Sequence, residues 1–364
     1  MLKRIVYIAA HIEPVHTGGE QYNLHLIRAA EKAGVEVVRK VLTDSAIYQW
    51  LSDTRFLWRL CRAFIAFWLF RQLLRYRRET LLLDAWFAPL SWPGILLVRG
   101  RYLVMVHHLC SGLFSGWQRK WQAFCETVLL RGATRILTVS QSSRRQVEER
   151  TQGVTSIDVI NTAFEPVEGI SRGGGDVFRI LFVGHVTRAK GVIDLAGAVA
   201  GLPGGGNWRL DIVGRNTVEP ETTEQISSIC RNAGVAERVT LHGRLEDKAL
   251  LELYLSSDVF VLPSYWEGYG IVLLEAMSHR LAVVSTTAGA IPEVVADGET
   301  GLLVAPGDAV ALRESILKLM RDNKLHDRLA ENGLAFARRH PDWNDMEASC
   351  VAWWRELDED ALRS

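Results

Sequence analysis

The segment 262–275 carries two carboxylates, Glu267 and Glu275, on either side of a point where an apolar strand-like run ends at Pro263 and a helix starts near Gly270. Glu267 is expected in the loop at the carboxyl ends of the strands, where open α/β sheets bind ligands, and Glu275 one to two turns into the helix. The backbone N–H groups of Gly270, Ile271 and Val272 stand at the positive end of the helix dipole, which suits phosphate. Gly268 and Gly270 leave room for a ligand to approach the backbone. A plainer reading fits the residues equally well: a loop carboxylate beside a helix cap, and a surface glutamate.

A second group of residues supplies positive charge. Lys190 follows the apolar run 178–183 and precedes another helix, a position from which an ammonium meets a diphosphate. His185 and Arg188 precede it; arginine holds phosphate bidentately, whereas histidine is only partly charged near neutrality. Exposed cations at a helix start are the alternative. In the first half of the chain, Thr17, Gly18, Gly19 and Glu20 lie between the first strand and first helix, as a ligand-facing loop or an ordinary tight turn. His107 and His108 follow the run 103–106; neighbours on a strand point to opposite faces, so the two make a poor metal site, and a structural histidine is the alternative for each. Asp358 and Asp360 form a D-x-D in the terminal tail, read as a solvated acidic end, so no metal ligands are assigned.

The elements that must position these residues form two alternations. Residues 5–10 read as a strand, 11–19 as a loop and 20–33 as a helix with Leu24, Ile27, Ala30 and Ala33 at helical spacing. Runs at 35–38, 81–83, 103–106 and 136–139 continue a parallel sheet buried on both faces. A glycine-rich linker, 166–176, precedes strands at 178–183, 208–213, 239–242, 259–262, 281–285 and 301–304 with helices between them. The expected domains are 1–168 and 176–342. A terminal helix, 343–364, carries Trp343, Trp353 and Trp354, more apolar bulk than a free end needs, and is expected to dock on the first domain.

Composition narrows the classes. Lys plus Arg and Asp plus Glu both number 42, so no global field favours nucleic acid. Cys61, Cys110, Cys125, Cys230 and Cys350 are scattered and odd in number, which argues for a reducing cytoplasm. The segment 55–78 mixes seven arginines with aromatic rings. Its longest charge-free run, 63–70, is far short of the ~20 residues that span a bilayer. Contact with a membrane surface is one reading of it, but Arg55, Arg59 and Arg62 share a helix face from which Arg71, Arg75 and Arg78 are displaced, against a single interfacial helix. Two shorter helices, or one helix packed on the sheet with snorkelling arginines, explain it as well.

The E-x7-E spacing of Glu267 and Glu275, following the run 259–264 and opening Glu275-Ala276-Met277, resembles the family 4 glycosyltransferases, retaining enzymes of the GT-B fold; 284–294, 297–304 and 306–308 extend the resemblance, which covers 178–320. It implies two Rossmann-like doubly wound domains facing across a cleft that closes about the linker. In such enzymes the second glutamate binds the ribose hydroxyls of the donor nucleotide, which falls to Glu275, and the first reaches the transferred sugar, which falls to Glu267. Lys190 matches the family's diphosphate lysine; His185 stands where the family has arginine. Gly18 and Gly19 match a glycine loop facing donor phosphate and acceptor, with one residue fewer before Glu20. His107 matches a histidine near the transferred sugar, and Ser140 and Thr162 match positions to which no role is assigned. Arg280 stands where the family commonly has glycine. The implied reaction moves a sugar from a nucleotide-diphosphate sugar to a hydroxyl of a polysaccharide or lipid-linked glycan, with retention and without a metal or other cofactor. A sugar-nucleotide epimerase or hydrolase, and a non-catalytic sugar-nucleotide-binding protein, are the alternatives on the same fold.

Overall fold

The strand Arg4–Ala9 buries every residue after Arg4, as a strand covered on both faces must. The computed structural model to which it belongs describes residues 2–9, 17–42, 58–153, 155–165, 175–204, 206–217 and 219–357. Residues 11–16 of the expected loop 11–19, Arg55, residues 166–174 of the glycine-rich linker and the D-x-D at 358–360 lie outside the described residues.

In the N-terminal unit the order is β1 (Arg4–Ala9), α1 (Gly18–Lys32), β2 (Glu36–Val41), α2 (Trp58–Arg75), β3 (Leu81–Asp84), α3 (Ala88–Ser91), β4 (Tyr102–Val106), α4 (Gly116–Gly132), β5 (Arg135–Thr138), α5 (Gln141–Thr151) and β6 (Ser156–Val159). The strands form one parallel sheet ordered β2-β1-β3-β4-β5-β6. The edge strand β6 was not among the expected strands: it is only half-buried and interleaves Ser156 and Asp158 with Ile157 and Val159, a weak apolar signal.

In the C-terminal unit the order is β7 (Phe178–Val183), α6 (Val192–Ala200), β8 (Trp208–Val213), α7 (Pro220–Asn232), β9 (Val239–Gly243), α8 (Asp247–Ser256), β10 (Val259–Leu262), α9 (Ile271–Ser278), β11 (Ala282–Thr286), α10 (Ile291–Val294), β12 (Leu302–Val304), α11 (Ala309–Arg321) and α12 (Asn323–Ala337). Its sheet is also parallel, ordered β12-β11-β10-β7-β8-β9, so the strand order reverses between β7 and β10.

The chain divides into Met1–Ala163 with Trp343–Ser364, and Phe164–Asp342. The first limit falls at Ala163 rather than at 168 because Ala163 packs in the N-terminal core and Phe164 in the C-terminal one. The last helix, α13 (Trp343–Glu356), returns to the N-terminal unit. Trp353 Nε1 donates to Asp158 Oδ2 at 2.8 Å and Trp354 Nε1 to the Leu26 carbonyl at 2.9 Å. Glu347 pairs with Lys32 and, at 2.6 Å, with His25, whose ring stacks on Trp343. Large aromatic area with satisfied polar tips is what makes such a helix stay.

Candidate functional site

Ligands of a doubly wound sheet bind beyond the carboxyl ends of the strands, where the order reverses. In the C-terminal unit that point lies between β7 and β10, and the loops after these two strands carry Lys190 and Glu267. The Lys190 ammonium lies 2.6 Å from Glu267 Oε1, which also accepts from Ser264 Oγ at 2.7 Å. Glu267 is buried, so its carboxylate is held by partners rather than by water. The loops are joined through the main chain: Tyr265 N–H donates to the Ala189 carbonyl at 2.9 Å, and Ala290 N–H to the Glu267 carbonyl at 3.0 Å. Glycine is required at two neighbouring places. Gly191 has φ +67° and Gly289 φ +58°, and a Cβ on either would fall on a carbonyl oxygen, of Pro263 and of Glu267 respectively.

Gly270 is the N-cap of α9, with φ +98° and no capping side chain. Thr17, Asp308 and Asp322 cap α1, α11 and α12, whereas α6, α7, α8 and α10 share with α9 the lack of a capping side chain. Leu273 N–H bonds the Gly270 carbonyl, so the amides of Ile271 and Val272 are the ones left by helix geometry to face a ligand. Glu275 lies in the second turn, and Tyr254 of α8 donates to its Oε2 at 3.1 Å. Burial pushes the Glu275 carboxyl above its ordinary pKa, and the Tyr254 hydrogen bond pulls it part of the way back. Tyr254 is itself raised, by burial and then by Glu275. Ser264 closes the run 259–264 that precedes the two glutamates, whereas Tyr254 carries no motif and contact alone reveals it.

Lys190 is the cation that the structure brings to Glu267. Arg188 is exposed, and its backbone N–H donates to Glu219 Oε2 at 2.9 Å; His185 is half-buried just past β7, its carbonyl accepting from Thr187. Arg280 has a structural explanation. It follows α9 with φ +62°, its N–H donating to the Met277 carbonyl and that of Leu281 to Ala276, the left-handed close of a helix that glycine favours. Ion pairs from its guanidinium to Glu331 at 2.6 Å and Asp327 at 3.6 Å accompany the unfavourable conformation.

In the N-terminal unit Gly18 and Gly19 are the first two residues of α1 rather than members of a loop. Thr17 and Glu20 form a capping box, with Thr17 N–H donating to Glu20 Oε2 at 2.9 Å, and this cap draws the glycines into the helix. A Cβ on Gly19 would lie 3.5 Å from the His107 ring. His107 Nε2 is 3.0 Å from Asn23 Oδ1 and 3.9 Å from Asp84 Oδ2, and Asn23 Nδ2 reaches the same Asp84 oxygen at 3.4 Å. Burial lowers the His107 pKa, Asp84 raises it and His108 lowers it. Asp84 ends β3 and its Oδ1 accepts from Trp86 N–H, while Ser143 Oγ donates to the His107 carbonyl at 3.2 Å. Ser140 caps α5, a structural role. Asp84 and Asn23 were not singled out by their sequence context; the signal available was Asp84 closing a strand beside the β1/β3 reversal.

Residues 171–336 match the family described as glycosyl transferases group 1. The MMP alpha-(1->4)-mannosyltransferase of Mycolicibacterium hassiacum is 30% identical over 244 residues, 64% of this chain and 57% of that protein. The chain matches about half the length of such curated relatives. Among solved structures, sucrose-phosphate synthase from Thermosynechococcus elongatus superposes with a TM-score of 0.76 at 20% identity, covering 98% of this chain and 99% of that one. HepE of Anabaena, solved with UDP and glucose, gives 0.72 at 16% identity, covering 98% and 100%. Residues 171–336 thus resemble a group 1 glycosyl transferase domain, and the two α/β units share the GT-B fold of these solved structures.

Proposed function

We propose that the chain is a retaining glycosyltransferase that moves a sugar from a nucleotide-diphosphate sugar to a hydroxyl of a polysaccharide or lipid-linked glycan. The observation that carries this is the Lys190–Glu267 pair at the strand-order reversal of the matched domain, beside an uncapped helix start. In this reading Lys190 donates its remaining N–H groups to the diphosphate, and the Ile271 and Val272 amides and the α9 dipole add to the field as leaving-group charge develops. The charge is met by side chains and backbone, so the reaction needs no metal. Arg188 or a protonated His185 supplies a further cation from the same loop.

Glu275 accepts from the ribose hydroxyls and Glu267 from the sugar, where its charge also favours an oxocarbenium-like transition state. The acceptor hydroxyl attacks on the face the diphosphate leaves, and a diphosphate oxygen takes its proton. The N-terminal unit, through His107 beside Gly19, orients the acceptor and the transferred sugar. The scattered cysteines support a reducing cytoplasm as the setting of this chemistry.

The test offers UDP-, GDP- and ADP-sugars to the protein and measures nucleoside diphosphate release, beside Glu275→Ala and Lys190→Ala. Release from one donor, lost in both variants, is the expected result. Absence of binding to every donor, with the fold intact, would sink the assignment.

A further inference from the structure

The chain is neutral overall, but its charge is unevenly spread. Residues 54–125 hold ten arginines and one lysine against two acids, Glu79 and Asp84. Three elements of this stretch, α2, the turn Gly94–Val98 and α4, bury their inner faces in one core cluster, through Ile65 and Leu69, Ile95 and Val98, and Leu129 and Leu130. They therefore lie on one side of the N-terminal sheet. Phe70 of α2 packs against Gly94, and Trp92, just before the turn, meets Phe124 of α4 edge-on at 5.3 Å between centroids.

The outer faces of the same elements are apolar and exposed: Phe67 and Leu74 on α2, Leu96 on the turn, Trp117, Trp121 and Phe124 on α4. Trp117 is 73% exposed, and it stacks in file with Trp121 and Phe124 at 6.0 and 5.9 Å. A contiguous patch of this kind marks a binding surface. Exposed Arg71, Arg75, Arg99, Arg119 and Lys120 stand among these side chains, and the acid within the three elements, Glu126, is buried under Ser111 and Gln122.

Amphipathic rings mixed with cations and lacking exposed acids match a bilayer interface with anionic head groups. A second copy meeting this face across a two-fold axis would set cation against cation. Nucleic acid would reward the rings but not the aliphatic Leu74 and Leu96. A cavity of about 410 Å³ walled by Trp92, Leu96 and Phe124, with Arg99 and Arg131 among its lining, suits an apolar chain beside an anionic group.

We propose that the outer face of α2, the Gly94–Val98 turn and α4 docks on a membrane surface that bears anionic lipid head groups. The inference rests on surface chemistry alone and is independent of the transfer reading. It also explains why α2 by itself has no clean basic stripe: that helix is one of the three elements that make up the surface.

The experiment floats the full chain with vesicles of phosphatidylcholine alone, or with about 30 mol% phosphatidylglycerol to supply anionic charge. Binding to the anionic vesicles, weakened by salt and absent on phosphatidylcholine alone, is expected. Trp117→Ser with Trp121→Ser, and separately Arg71→Glu with Arg75→Glu, should each reduce the bound fraction about tenfold with unchanged melting temperature, since these side chains face outward. Nucleoside diphosphate release without vesicles should persist in both pairs. Absence of flotation with anionic vesicles, or flotation unchanged in both pairs, would overturn the proposal. So would a dimer in sedimentation velocity that the tryptophan pair dissolves, which would assign the face to a second copy.

Discussion

In the C-terminal unit the reactive side chains sit on loops joined by main-chain hydrogen bonds and by glycines that no other residue replaces, whereas in the N-terminal unit Asn23, Asp84 and His107 meet through their side chains from three distant segments. The first arrangement holds an ion pair at 2.6 Å; the second joins a half-buried histidine to an amide and a carboxylate at 3.0 to 3.9 Å. A backbone frame specifies its geometry locally, and a side-chain network depends on the packing of the whole sheet. On the proposed reading, the difference suits a donor site that must hold charge rigidly and a second site that adapts to its substrate.

The largest expected effects fall on the rigid side. Lys190→Ala or Glu267→Ala should each lower transfer by about 10²- to 10³-fold, the scale for losing one group that faces developing charge, with circular dichroism unchanged. Gly289→Ala is a harder test of the frame. Its Cβ would fall on the Glu267 carbonyl, so activity and about 1–3 kcal/mol of stability should be lost together in a denaturant titration. An active, fully stable Gly289→Ala would break the comparison.

On the N-terminal side, Asp84→Asn should lower turnover by about tenfold with donor affinity unchanged, because it acts on the orientation of His107 through Asn23. The pH profile should move as well, since Asp84 is the group that raises the His107 pKa. Equal loss of donor affinity would mean that the two units do not divide the work in this way.

Acid should act through Glu275. Its raised pKa means that the carboxylate is protonated at a higher pH than an ordinary glutamate, and donor affinity falls there as the acceptor is lost. Stability runs the opposite way: the folded state binds this proton more tightly than the unfolded one, so the contribution is fully present below the unfolded value and lost as pH rises through the folded one. Tyr254→Phe removes the opposing hydrogen bond, so the inflection in donor affinity should rise further, with a loss of about 1 kcal/mol in binding by calorimetry. The smallest effect belongs to Arg280→Gly. Relief of a left-handed residue against the loss of two exposed ion pairs should leave a gain of no more than about 1 kcal/mol in thermal unfolding, and activity intact.

The contiguous stretch from β10 into α9 is legible because strand, loop and helix follow one another in sequence, and that order fixes the places of Glu267 and Glu275. The docking of α13 was likewise readable from the bulk of Trp343, Trp353 and Trp354. Gly18 and Gly19 show the limit of that kind of reading: Thr17 and Glu20 spell a capping box as clearly as a loop, and local hydrogen bonding chose the helix.

What the sequence by itself determined is therefore whatever is encoded by period and adjacency: two parallel sheets, their strand runs apart from the edge strand β6, and a carboxylate pair across a helix start. Tertiary structure alone decided that Lys190 reaches Glu267, that Tyr254 meets Glu275, and that Asp84 and Asn23 gather at His107. It also decided that scattered tryptophans and arginines form one face. The physical reason is the same in each case. Crossovers in a parallel sheet bring together residues tens of positions apart, and the partner of a buried charge is set by which strands become neighbours, a property that no local pattern contains.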